Sequence, residues 1–105
     1  MTDPVNELGS VLSSIARLAA EGRELFDADP RQRWSIERLW IFAGNLAEQH
    51  RRANGLPSGA EPWAELVGIR NVYADYAPEA INPNRVWHDT IGDIDRISAS
   101  VRNLT

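Results

Sequence analysis

The chain has 105 residues and no cysteine, which fits one domain with one core and removes disulfide scaffolds, thiolate metal sites and cysteine nucleophiles. A formal net charge of −4, from 15 acidic and 11 basic residues, runs against non-specific nucleic-acid binding, which depends on neutralising phosphates. Every cation is arginine and none is lysine. Base composition in a GC-rich genome accounts for that, yet arginine also suits bidentate phosphate contacts, so a local basic cleft on an acidic protein is compatible with the balance.

The opening Met1-Thr2-Asp3-Pro4 lacks a basic region followed by an apolar run, so no secretion signal is expected. No apolar stretch approaches the ~20 residues that cross a bilayer. The expectation is a cytoplasmic protein with no membrane role.

In chain order, Val5, Leu8, Leu12, Ile15, Leu18 and Leu25 recur at the spacing of an amphipathic helix. Asp27-Ala28-Asp29-Pro30 then predicts a stop and a restart, with Asp29 as N-cap and Pro30 in the first turn. A second helix is expected from about Pro30 to Ala53. Its apolar residues Trp34, Ile36, Leu39, Trp40, Ile41, Phe42 and Leu46 cover more than one stripe, as in a central helix or one that also faces another subunit. Asn54-Gly55 reads as a C-cap, and Leu56-Pro57-Ser58-Gly59-Ala60-Glu61-Pro62 as a loop. A third helix begins near Trp63 and fails around Tyr76-Ala77-Pro78, because proline disfavours helix at the residue before it. Asn82-Pro83 repeats the cap-and-proline start, and Trp87, Ile91, Ile94, Ile97, Val101 and Leu104 form the inner face of a last helix. No segment alternates with a strand's period of two. The predicted fold is all-α, an antiparallel bundle of four main helices forming a single domain over residues 1–105.

Within this frame several motifs stand in a particular order: Gly44 in the long helix, Pro62-Trp63 at a helix start, Gly68-Ile69-Arg70-Asn71, then Tyr76, and Asn82-Pro83-Asn84-Arg85-Val86-Trp87. Together they resemble the HepT-like family of the HEPN superfamily, toxins that accompany minimal nucleotidyltransferase antitoxins. The resemblance spans nearly the whole chain in element order and is strongest across 62–87. It implies a metal-independent RNA endonuclease without a cofactor, working as a homodimer whose two motifs face a shared cleft. It also implies a nucleotidyltransferase partner. Carried over by position, Arg70 is the phosphate contact, Asn71 a polar orienter, and Tyr76 the tyrosine that the partner modifies with AMP.

The family's histidine, suited to proton transfer by a pKa near neutrality, has no counterpart. Counting from Arg70 its position falls on Asp75; alternatively one residue is deleted and Tyr76 aligns with the motif tyrosine. An aspartate can act as a base, but it is a poor acid near neutrality and repels an approaching phosphate. Gly44-Asn45-Leu46 also departs from the Gly-Glu-Ala of many relatives. On a continuous helix Asn71 and Asp75 share a face, whereas Arg70 and Asp75 lie about 140° apart at roughly 100° per residue. The pair converges on one phosphate only if the helix end unwinds or two subunits pool their residues. The alternative function is a catalytically inactive dimer of the same fold that binds or scaffolds.

Each of these residues also has a plainer reading. Arg70 and Asn71 form a solvated pair, with Asp75 a salt-bridge partner for Arg70 and Asp75-Tyr76 a polar helix end. His50 complements the C-terminal dipole of the second helix. His88 is solvent-exposed, or else reaches the Arg70 cleft. Two isolated histidines make no metal site. Trp34, Trp40, Trp63 and Trp87 read as core or dimer anchors, since each falls in an apolar helical pattern.

Overall fold

A computed structural model describes residues 4–76 and 80–104. Among them the chain is all-α, with helices α1 (Pro4–Ala20), α2 (Arg23–Ala28), α3 (Pro30–Ala53), α4 (Trp63–Asp75) and α5 (Pro83–Asn103). No strand occurs among the described residues, and no helix among them is long and apolar enough to cross a membrane.

The punctuation residues set these boundaries. Asp29 accepts a hydrogen bond from the Arg31 backbone N–H at 3.0 Å, with Pro30 behind it at the start of α3. Asn82 does the same for Asn84 at 2.9 Å ahead of α5. These caps satisfy N–H groups that have no partner inside the first turn. At the far end of α3, Gly55 adopts φ 63°, the left-handed conformation that favours glycine. The Leu56 N–H then reaches the Arg51 carbonyl at 3.0 Å and the Gly55 N–H the Arg52 carbonyl at 3.2 Å, the bond pair of a Schellman cap. The third predicted helix stays helical through Asp75, and Tyr76 leaves it in an extended conformation; Ala77-Pro78 lie outside the described residues.

The first predicted helix is not continuous to Leu25. It ends at Ala20, and Gly22, at φ 99° and ψ 159°, turns the chain into the separate short helix α2. Periodicity does not register the break, because Leu18 and Leu25 keep their seven-residue spacing across it. Five helices thus stand among the described residues where four main ones are predicted, the addition being a single short segment.

α3 is the hub, touching α1, α2, α4 and α5. It runs antiparallel to α4, since Gly44 lies against Arg70 while Glu37 and Tyr73 line one cavity further along. Leu8, Leu12 and Ile15 of α1, Ile36, Trp40, Ala43 and Ala47 of α3, Trp63 and Leu66 of α4, and Ile94, Ile97 and Val101 of α5 form one continuous core. Trp40 donates its indole N–H to Thr90 Oγ1 at 3.1 Å, and Thr90 donates in turn to the Val86 carbonyl at 2.7 Å. The buried polar atoms between α3 and α5 are thereby satisfied. On α5 the inner face runs through Val86, Thr90, Ile94, Ile97 and Val101. Ile91 and Leu104, expected inside, are exposed. The helix is rotated so that Thr90 meets Trp40.

Candidate functional site

Arg70 and Asn71 project from α4 beside α3. A Cβ at Gly44 would come within 2.3 Å of Arg70 Cβ and 2.8 Å of the Leu66 carbonyl oxygen. Glycine at 44 is therefore what lets the two helices approach at this level and seats the Arg70 stem on α3. The guanidinium then has two amide partners. Nε and Nη2 donate to Asn71 Oδ1 at 3.1 and 2.9 Å, and Nη1 donates to Asn45 Oδ1 at 3.4 Å.

These partners are neutral, a condition Arg70 shares with Arg17 and Arg33, whose partners are a serine hydroxyl and backbone carbonyls; what sets Arg70 apart is its seat against Gly44 between two side-chain amides. Arg23, Arg31, Arg51, Arg52, Arg85 and Arg96 each lie within ion-pair distance of a carboxylate. Arg70 is oriented by amides that leave its charge uncompensated, the condition an external phosphate requires.

Asp75 and Tyr76 do not join this arrangement within one subunit. Asp75 is exposed at the last turn of α4, and no ion pair links it to Arg70 among the described residues. Because α4 remains helical to that point, Arg70 and Asp75 keep the wide angular separation of a regular helix. Tyr76 is 59% exposed and sits just beyond the helix. His50 packs its ring on Trp63, centroids 4.4 Å apart, with Asn54 on its Nδ1 side, one end of α4 away from Asp75. His88 is exposed and hydrogen-bonds to none of Arg70, Asn71 or Asp75. Among the described residues no cluster of three or more metal-ligating side chains occurs.

The structure brings together residues that the sequence did not assign to one surface. Trp34, Arg38, Ile41, Phe42 and Asn45 form one outward strip of α3, leading from Arg31 to the Arg70 site. Trp34 is 52% and Phe42 43% exposed, and Arg38 lies over the Phe42 ring at 5.6 Å. Of the tryptophans, Trp40 and Trp63 are core, Trp87 leans on Phe26 with centroids 5.1 Å apart, and Trp34 is the exception to a core role.

Beside Trp34 in the same cavities lies Glu37, only 7% exposed yet without a hydrogen bond or ion pair among the described residues. Burial raises its pKa above the ordinary 4.5, with the Arg33 charge opposing. Nearby, the Tyr73 hydroxyl donates to Asp89 Oδ2 at 2.5 Å. Burial, and then that bond, hold the phenol well above its usual range. One signal of this cluster was visible in the sequence: Glu37 is an acid between Ile36 and Trp40 on an otherwise apolar face.

Compared with protein-family models, with curated proteins and with solved structures, the chain matches none.

Proposed function

We propose that this chain is a HepT-like protein of the HEPN superfamily, the cytoplasmic toxin component of a toxin–antitoxin pair, acting on RNA as a homodimer and partnered by a nucleotidyltransferase. The observation that supports this reading best is Arg70, held at the α3–α4 junction by Asn45 and Asn71 with no carboxylate paired to it among the described residues. In RNA cleavage of this class the 2′-hydroxyl attacks the adjacent phosphorus, the P–O5′ bond breaks, and one proton leaves O2′ while another reaches O5′. A fixed guanidinium stabilises the extra charge on the phosphoryl oxygens in the transition state. On the alignment that sets Asp75 at the family histidine's position, Asp75 would serve as base toward O2′; on the alternative, with that histidine deleted, no residue takes this role. Since Arg70 and Asp75 diverge on one helix, the proposal has Arg70 of one subunit and Asp75 of the other facing the same phosphate. Phe42, exposed beside Asn45, offers apolar surface for such an interface. Tyr76 is the proposed AMP acceptor.

A second reading is a catalytically inactive dimer that keeps the cleft for binding or scaffolding. The absence of any imidazole bonded near Arg70 favours it. Incubating the protein with structured and unstructured RNA in the presence of a chelator separates the two. Cleavage that disappears in Arg70→Ala establishes the nuclease, while retained binding with no cleavage establishes the inactive form. Asp75→His should then raise cleavage if Asp75 occupies the proton-transfer position. Mass spectrometry after co-expression with the nucleotidyltransferase should find AMP on Tyr76, and an unmodified tyrosine would remove that role.

A further inference from the structure

Glu37 lines two cavities at once, of about 400 and 240 Å³, and Trp34 stands between them. Its carboxylate oxygens have no hydrogen-bond or ion-pair partner among the described residues and remain open to the cavities. A carboxylate at the floor of two such clefts keeps contact with water only through them and is less well hydrated than one on the open surface. It gains when a ligand brings N–H donors to it. Trp34 and Glu37 are three residues apart on α3 and hence neighbours on its surface, so one side chain offers a flat stacking face and the other an acceptor edge beside it.

The surrounding charges narrow the ligand. Among the described residues Glu37 is the sole acid that lines the two cavities, while Arg31, Arg33 and Arg38 all line them. Arg33 is engaged by the Phe26 and Asp27 carbonyls, Arg31 by Asp29, and Arg38 only by the Phe42 ring. Three guanidiniums repel an ammonium group, a metal ion or an arginine side chain. The fitting ligand is anionic overall and carries neutral N–H donors on a flat ring, which describes a nucleotide. The Tyr73 hydroxyl is committed to Asp89, so Tyr73 contributes wall and the carboxylate alone reads the edge. Two carboxylate oxygens match two adjacent donors. Guanine presents N1–H and N2–H on one edge, whereas adenine and cytosine each pair a donor with an acceptor there.

We propose that Trp34 and Glu37 form a guanine-recognition site, with the indole stacking on the base, the carboxylate accepting from its N1–H and N2–H, and Arg38 placed for the attached phosphate. Base stacking on an exposed aromatic ring and readout of the Watson–Crick edge are how single-stranded RNA is recognised sequence-specifically. The site rests on the RNA-directed reading above for the source of its base, because Tyr73 stands one turn of α4 from Arg70. Trp34 lies ten residues before Gly44 on α3, roughly 15 Å along its axis at 1.5 Å per residue, so a strand held at Arg70 would present to Trp34 a nucleotide a few positions along.

The test is fluorescence anisotropy with labelled short oligouridylates carrying one central guanine, inosine or adenine, with unlabelled GMP as competitor. Guanine should bind about tenfold tighter than adenine, in the range of one bidentate base contact, with inosine between them because it lacks the N2 amine. Competition by GMP shows recognition of the free nucleotide, and its failure beside a retained guanine preference shows recognition within a strand; both uphold the site. Glu37→Gln, which offers one acceptor and one donor, should lose the guanine preference or turn it toward adenine. Trp34→Ala, at a half-exposed position that the fold does not need, should weaken guanine and adenine strands alike. Equal affinity for all three strands overturns the site, as does a guanine preference that survives Glu37→Gln, or no binding of any strand or of GMP. Arg70→Ala keeps this apart from the nuclease reading. Guanine preference in a protein that cleaves nothing leaves the site standing, while Arg70-dependent cleavage with no base preference removes the site and leaves the nuclease.

Discussion

Glu48 and Glu37 lie on the same helix and respond to acid in opposite senses. Arg51 and Arg52 hydrogen-bond Glu48 and hold its carboxyl at about 2, below the ordinary 4.5. Folding favours its ionised form, so the stability it contributes is present above 4.5 and is lost as pH falls toward about 2. Burial moves Glu37 upward instead. Folding favours its protonated form, so its contribution is present below 4.5 and is lost as pH rises through the raised folded value. Thermal melts across pH should therefore show Glu48→Gln flattening the acid limb. Glu37→Gln should be more stable than the native chain near neutrality, by less than about 1 kcal/mol once water in the open clefts is allowed for, and the difference should shrink in acid. A stabilising loss of this kind is the usual mark of a residue kept for function. Tyr73→Phe removes a buried hydrogen bond to Asp89, which keeps Arg85 as a partner. Chemical denaturation should find it weakened by about 1 kcal/mol.

At the scale of elements, two side-chain fits set how α3 meets its neighbours. Gly44→Ala places a methyl against Arg70 Cβ and the Leu66 carbonyl, and backbone on one side cannot give way cheaply. We expect a loss of about 1–3 kcal/mol, as for overpacking generally. Weakened phosphate or RNA binding should accompany it, because the shift moves the Arg70 stem; unchanged binding would show that Arg70 does not depend on the close approach. Thr90→Val leaves the Trp40 indole N–H buried without a partner, a change expected to cost about 1–3 kcal/mol in urea unfolding. Helix boundaries were legible because local chemistry writes them: Asp29-Pro30, Asn82-Pro83 and Asn54-Gly55 carry their own caps. The break at Gly22 and the rotation of α5 were not. The first depends on one glycine's backbone angles, and the second on Thr90 finding Trp40 fifty residues away.

At the scale of the whole molecule, the proposed dimer has a specific weak point. Phe42→Glu puts a charge into the exposed apolar strip of α3 without touching the core, so helicity and melting temperature should stay near native. Light scattering should show a shift from dimer to monomer, and any Arg70-dependent cleavage should fall with it if two subunits complete the cleft. A native chain that is monomeric at every concentration would remove the dimer. Composition, periodicity and capping residues by themselves determined that this is an all-α chain and where most helices start and stop, while Arg70, Asn71, Asp75 and Tyr76 stood out only through a family resemblance. Helices and their ends are local properties: a cap acts within one turn, and an apolar face repeats every three or four residues. Only the tertiary structure decided that Arg70 is held by Asn45 and Asn71 rather than by Asp75, that Trp34 faces outward, and that Glu37 is buried unpaired between two cavities. Each of these depends on which side chains from distant segments share a surface. Burial, charge compensation and hydrogen-bond satisfaction arise there between helices, and no single stretch of sequence contains them.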